Sequence, residues 1–97
     1  MRENLFFKTA GCVYLKGEEM HLTPIEYKLL CLLSHNVGKV LTHTYITMQI
    51  WGSSRENDIA SLRVFMATLR KKLEPEKTSP QYIQTHIGIG YRMLRVD

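Results

Sequence analysis

Residues 58–73 read DIASLRVFMATLRKKL, from Asp58 to Leu73, and their spacing decides how the rest of the chain is read. Leu62, Met66, Leu69 and Leu73 recur at i, i+4, i+7 and i+11. At about 100° per residue they form one narrow stripe, the face that a helix turns toward a core. The opposite face carries Ala60, Ser61, Val64, Thr68 and Lys71. Phe65 and Lys72 stand on one flank, Arg63 and Arg70 on the other. A solvated helix gains i,i+4 pairs by mixing Glu with Lys, yet no carboxylate follows Asp58 within this stretch. Small and apolar groups in the middle, with long cations at the edges, suit a helix lying in a DNA major groove. There small side chains permit approach, cations meet phosphates, and apolar groups meet thymine methyls. On the helix alone, a solvated face that is merely basic at its end fits equally well.

Composition narrows the classes. Ninety-seven residues, 44% hydrophobic and 23% charged, make one globular domain with one core. The net charge is +4, and residues 53–97 carry eight Lys/Arg against five Asp/Glu. The excess therefore lies with the 58–73 helix and favours a polyanionic partner. No apolar run reaches 18 residues and no signal-peptide core is present, so a cytoplasmic protein with no membrane partner is expected. Cys12 and Cys31 lack ligand spacing and are expected as small buried thiols.

Outward from the helix, Leu5–Lys8, Cys12–Lys16 and Glu19–Leu22 predict a small antiparallel sheet with a tight hairpin at Lys16–Glu18. Thr23-Pro24-Ile25-Glu26 is a helix start, with a capping Thr, Pro at the first helical position and Glu closing a capping box. Ile25, Leu29, Leu32 and Leu33 supply its buried face, and it should stop near Ser34–Asn36. Lys39–Leu41 predicts a short bridging strand. Thr42 is the next N-cap, for a helix over Tyr45–Trp51 that buries Ile46 and Ile50 and ends at Gly52. Ser53–Asn57 reads as an exposed loop, and Glu74–Pro80 as a second loop with two prolines. Tyr82–His86 and Tyr91–Leu94 are strands of a hairpin through Ile87-Gly88-Ile89-Gly90, whose glycines permit positive φ. The expected fold class is α+β: a winged helix-turn-helix with a small N-terminal antiparallel sheet, three helices and a C-terminal β-hairpin wing.

HLTPIEYKLL, GKVLT, IWG, LRKKLE and QTHIGIGYR resemble, in order and spacing, the DNA-binding effector domain of OmpR/PhoB-type response regulators. The resemblance runs from about Cys12 to Arg92, and the GIGYR and LTPIEY segments look most like the KdpE branch, regulators of potassium-transport operons. It implies a phosphorylatable receiver domain ahead of residue 1, with residues 1–97 as an excised effector domain. It further implies base contacts from Ser61, Val64, Phe65 and Thr68 and phosphate contacts from Trp51, Arg70, Thr85 and Tyr91. Thr42, Lys71 and Lys72 complete the expected phosphate set. Thr68, Ile87 and His43 stand where relatives carry arginines, so bidentate guanine readout is weakened and thymine methyls and DNA shape gain weight. Arg63, beside the outward face, is either the missing base contact or one half of an ion pair with a nearby Glu. The family also implies that Ser53, Ser54, Arg55, Glu56 and Asn57 form a loop touching RNA polymerase. Its domains sit head to tail on direct repeats, here expected to be A·T-rich, and this chain is expected to be a monomer without DNA because it shows no apolar surface seam beyond its core.

Several residues carry plainer alternatives. Trp51 and Tyr91 could instead be core aromatics, and Trp51 is expected half-packed with its indole N–H free to donate. His21, His35, His43 and His86 are scattered without metal spacing. Nothing assembles nucleophile, base and oxyanion donors, so no enzyme and no cofactor are expected. The competing class is a winged-helix protein-interaction module in which Val64 and Phe65 form a partner patch.

Overall fold

The chain commits to its first helix at Thr23, whose hydroxyl accepts from the Glu26 backbone N–H at 3.3 Å while the Glu26 carboxylate accepts from the Thr23 N–H at 2.9 Å. The computed structural model describes residues 6–9, 12–15, 17–76 and 81–94. Ahead of that cap, β1 (Phe6–Thr9), β2 (Cys12–Leu15) and β3 (Glu18–Met20) form an antiparallel sheet in that order. Gly17, at φ 83°, lies between β2 and β3, where the hairpin is expected. The helices are α1 (Pro24–Ser34), α2 (His43–Trp51) and α3 (Glu56–Leu73). A second antiparallel sheet has the order β4 (Val40–Thr42), β6 (Gly90–Met93), β5 (Ile83–His86).

The element order is the expected one, and most differences lie at the ends. Helix α2 starts at His43, two residues before the expected Tyr45, because Thr42 caps the Tyr45 N–H at 3.0 Å. It ends at Gly52 in the left-handed conformation. Helix α3 starts at Glu56 because the Asp58 carboxylate reaches back to the Arg55 N–H at 2.9 Å and to the Ser53 hydroxyl at 2.6 Å. Glu56 and Asn57, expected in the loop, are therefore helical, and the connector shrinks to residues 53–55. Residues 77–80, from the expected Glu74–Pro80 loop, lie outside the described residues, as does Lys16. Glu74 has a definite role, its carboxylate accepting the Tyr82 and Ile83 N–H groups at 2.8 and 3.0 Å. That ties the entry of β5 to the end of α3.

The core gathers the predicted stripe of α3. Leu62, Met66, Leu69 and Leu73 are each at most 1% exposed, and burying such a side chain contributes roughly 1.5–3 kcal/mol. They meet Leu29, Leu30 and Leu33 of α1, Ile46 of α2, and Ile83, Tyr91 and Met93 of the second sheet. In α1 the buried face is rotated from expectation. Leu30 and Glu26 are buried, whereas Ile25 and Leu32 are only partly so. Ile50 of α2 is likewise half-buried while Thr47 is fully buried, its hydroxyl donating to the His43 and Thr44 carbonyls. Cys31 is half-exposed, not buried, because α1 turns it toward a groove of about 280 Å³ between α1 and α2. The Cys12 side chain lies outside the described residues.

The second sheet has one point of extreme crowding. Gly90 faces Thr42 across the β4–β6 ladder, and a Cβ there would fall 1.8 Å from the Leu41 carbonyl oxygen. Glycine is what lets β6 run against β4 and so brings the hairpin against the start of α2.

Candidate nucleic-acid interface

Helix α3 presents three distinct strips outside its core stripe. The most outward consists of Ala60, Val64, Ala67 and Lys71, all exposed, with Val64 at 62%. Ala67 was missing from the residues expected there, although 64, 67 and 71 follow the helical spacing as well as Thr68 does. Being small and uncharged, it gives no chemical signal; only its angle reveals it.

The second strip runs through Ser61, Phe65, Thr68 and Lys72, and it leans toward the protein. Phe65 is half-buried against the core, with its ring centroid 6.1 Å from that of Trp51. Ser61 is half-buried as well, while Thr68 is exposed with its hydroxyl donating to the Phe65 carbonyl at 2.9 Å. Lys72 donates to Glu26 at 2.6 Å and to the His21 carbonyl at 2.9 Å. Its ammonium is thus held by the protein, unlike that of Lys71, which points away one residue earlier. Burial by itself raises the Glu26 carboxyl. Hydrogen bonds from Lys72 and the Thr23 backbone, with the Lys72 charge, outweigh it and hold the group below its ordinary value.

The third strip faces the hairpin. The Arg70 guanidinium donates to the Thr85 hydroxyl and, at 2.6 Å, to the Ile83 carbonyl. Arg70 and Thr85, both expected at phosphates, are therefore brought together, and Arg70 is also the strut between α3 and β5. Arg63 is exposed, and among the described residues it has no carboxylate partner; the ion pair there is Lys72–Glu26. Its charge instead acts on His43 and Tyr91. His43, at the first turn of α2, stacks edge-on against Tyr91 with centroids 5.5 Å apart. Burial, then the Arg63 charge, lowers the His43 pKa and so favours the neutral imidazole. Tyr91 is 6% exposed and burial raises its phenol, with Arg63 and Arg70 pulling back. Thr42 is exposed but its hydroxyl caps α2, and Trp51 is half-buried.

The hairpin itself is rigidly mounted. The His43 N–H donates to the Ile89 carbonyl at 3.0 Å, and the Ile89 N–H to the His86 carbonyl at 2.9 Å. Arg92 on β6 donates to Gln84 across the ladder. Arg63, Arg70 and Thr85 consequently border one side of α3, Lys71 stands on the outward strip, and Lys72 borders the other side. Among the described residues, no cluster of His, Cys, Asp or Glu could hold a metal ion, and no helix is long and apolar enough to cross a membrane.

Three helices with a hairpin wing and a second strand-bound helix start make this a winged helix-turn-helix domain of the DNA-binding type. The chain belongs to the family described as "Transcriptional regulatory protein, C terminal", which it matches over residues 17–93, the effector domain of OmpR/PhoB-type response regulators. It is 46% identical over 85 residues to the KDP operon transcriptional regulatory protein KdpE of Escherichia coli, an alignment covering 88% of this chain and 38% of that protein. It is 44% identical over 84 residues to the transcriptional regulatory protein KdpE of Staphylococcus aureus, covering 86% and 36%. The chain thus spans little more than a third of these relatives. The DNA-binding domain of Klebsiella pneumoniae RstA, solved in complex with the RstA box, superposes with a TM-score of 0.76 at 26% identity, covering 87% of this chain and 83% of that one.

Proposed function

We propose that this domain binds double-stranded DNA sequence-specifically, with α3 in the major groove and the β5–β6 hairpin as the wing, and that it is the output half of a two-component regulator of transcription. The observation that carries this is the exposed Ala60–Val64–Ala67–Lys71 strip, which has no acid among its residues and has Arg63 free of any carboxylate beside it among the described residues. A helix so built approaches bases closely and meets phosphates at its rim. The base contacts are assigned to Val64, Ala67 and Arg63, with Ser61 and Thr68 at the margin. The phosphate contacts are assigned to Lys71, Arg70, Thr85, Thr42, Trp51 and Tyr91.

The likeness to KdpE makes a potassium-transport operon the target to test first. The site is expected to be an A·T-rich direct repeat taking two protomers head to tail, each a monomer when free. RNA polymerase would meet the Ser53–Arg55 connector, a receiver domain of the same protein would govern access, and the whole would work in the cytoplasm. Titration of a random duplex with the domain over about 50 to 200 mM salt, followed by footprinting on genomic fragments, tests the reading. A steep fall of affinity with salt, with discrete protected sites, supports it. Weak, salt-insensitive binding and no footprint would instead favour a protein-interaction module.

A further inference from the structure

The hairpin tip is apolar and bare. Ile87 is 92% exposed and Ile89 is 54% exposed, on a loop of three residues between paired His86 and Gly90. Gly88, with φ 76°, takes the third position of the turn closed by Ile89 N–H on the His86 carbonyl. That conformation suits glycine, and the turn leaves the isoleucines on both sides of it in sequence exposed. At such exposure the two side chains add little to the domain's own stability and form a small apolar patch open to a partner.

Two features indicate the occupant. From Lys77 to Val96 the sequence has no Asp or Glu, so the hairpin approaches a polyanion without repulsion. The hairpin is also continuous with the face assigned to DNA: Arg70 of α3 grips Thr85 and Ile83, and His43 at the start of α2 grips Ile89. Ile87 lies two residues beyond Thr85, about 7 Å further along the strand direction. With α3 in a major groove, a tip tied to α3 and to the start of α2 by these contacts would be directed toward the neighbouring minor groove. That groove is about 6 Å wide and admits a narrow turn but no helix. There is no cation on the tip to read its potential, and an aliphatic side chain in a minor groove has one strong mode of interaction, insertion between base pairs.

We propose that Ile87, supported by Ile89, is a wedge that partly unstacks one base step in the minor groove beside each half-site and kinks the duplex there. The step favoured would be a flexible pyrimidine–purine step, which opens at least cost. The proposal rests on the DNA-binding reading above and adds a deformation to it.

The test uses a duplex enriched by the wild-type chain from a randomised pool, with 2-aminopurine placed in turn at each step flanking the half-site. Wild-type binding should raise the fluorescence at one flanking step, through unstacking, and bend the duplex in an end-to-end energy-transfer assay. Ile87→Ser should lose both signals and bind about tenfold more weakly, while binding a duplex with a mismatch at that step nearly as well as wild type does. Ile87→Arg should recover affinity through the groove's potential without recovering the fluorescence. Circular dichroism of the variants should be unchanged, since residue 87 packs on nothing. Tight wild-type binding with flat 2-aminopurine signals at every step would overturn the wedge and leave DNA binding standing. Failure of the pool to enrich would overturn both. Loss of paired loading in Ile87→Ser, without any change of bend, would also overturn it, assigning the tip to a neighbouring protomer.

Discussion

The Lys72 ammonium lies 2.6 Å from the Glu26 carboxylate, which is itself 2% exposed and is the closing residue of the α1 capping box. One carboxylate therefore fixes where α1 begins and locks that start to the last turn of α3, 46 residues along the chain. The same contact removes Lys72 from the cations available to a phosphate. The last turn of α3 offers Arg70, Lys71 and Lys72 in sequence, and packing assigns them to the hairpin, to solvent and to α1 respectively.

This ion pair predicts a pH-dependent stability. The Glu26 pKa is lowered on folding, so its contribution is fully present above the ordinary carboxylate value and is lost as pH falls through the folded value. Lys72→Met should cost about 1–2 kcal/mol at pH 7, between the values for an exposed pair and for a fully buried one, because the Lys72 side chain is 37% exposed while that of Glu26 is 3% exposed. Urea melts at pH 7 and near pH 3 check it. A difference between wild type and variant that persists undiminished at the acid end would mean that charge pairing is not its source.

The β4–β6 crossing predicts unequal costs for two glycines of one hairpin. Gly90→Ala places a methyl 1.8 Å from the Leu41 carbonyl oxygen, a backbone atom that cannot move without breaking the ladder. The loss should reach about 3 kcal/mol or more. Gly88→Ala meets nothing within 4 Å and bears only its positive φ, which costs about 1–2 kcal/mol. Denaturant midpoints of the two variants compare them directly, and equal losses would contradict the crowding at Gly90.

Periodicity and caps made most of the fold legible. The α3 stripe is a pure helical repeat, the Thr23 and Thr42 caps are local chemistry, and both survive packing unchanged. What escaped was long-range. Glu26 and Lys72 meet across 46 residues, and Glu74 reaches the first residue of β5 nine residues on; neither pairing leaves a spacing signal. At the candidate site the outward face was legible as a direction but not as a ranking. Phe65 and Val64 are neighbours in sequence, yet their 100° separation puts one against Trp51 and the other in solvent. Strand ends moved by one or two residues because the ladder that sets them needs its partner strand, which sequence alone does not place.

The three cations on and beside the outward strip of α3, Arg63, Lys71 and Arg70, should differ in kind. Arg63→Ala and Lys71→Ala are expected to flatten the log–log salt dependence of duplex binding by about one unit each with little change in stability. Arg70→Ala should do both, since it also releases Thr85 and Ile83, lowering stability by about 1–2 kcal/mol. Lys72→Met should leave the slope nearly untouched. Measuring slope and melting together separates them, and a full-unit change for Lys72→Met would put its ammonium on DNA after all.

The last prediction separates Val64 from Phe65. Neither can make a bidentate guanine contact, and both are apolar enough to meet a thymine methyl. Val64 is 62% exposed at the centre of the outward strip, beside Ala60 and Ala67, whose small side chains leave room for a base edge. Phe65 packs on Trp51 and the core. Val64→Ala should therefore leave stability within about 0.5 kcal/mol, as exposed substitutions do, while losing preference between the selected site and random duplex. The same preference should shrink when uracil replaces thymine under the helix, by on the order of 1 kcal/mol for a methyl-sized contact. The two losses should not add, because each removes one side of the same contact. Phe65→Ala should instead destabilise the fold by roughly 2–3 kcal/mol, below the 3–5 typical of a fully buried Phe because this one is only half-buried. Its discrimination at low temperature should be kept. Arg63 supplies the competing outcome. If Arg63→Ala relaxes the preference at a single G·C pair, and uracil substitution leaves Val64→Ala and wild type equally discriminating, readout lies with the guanidinium and the methyl contact is excluded.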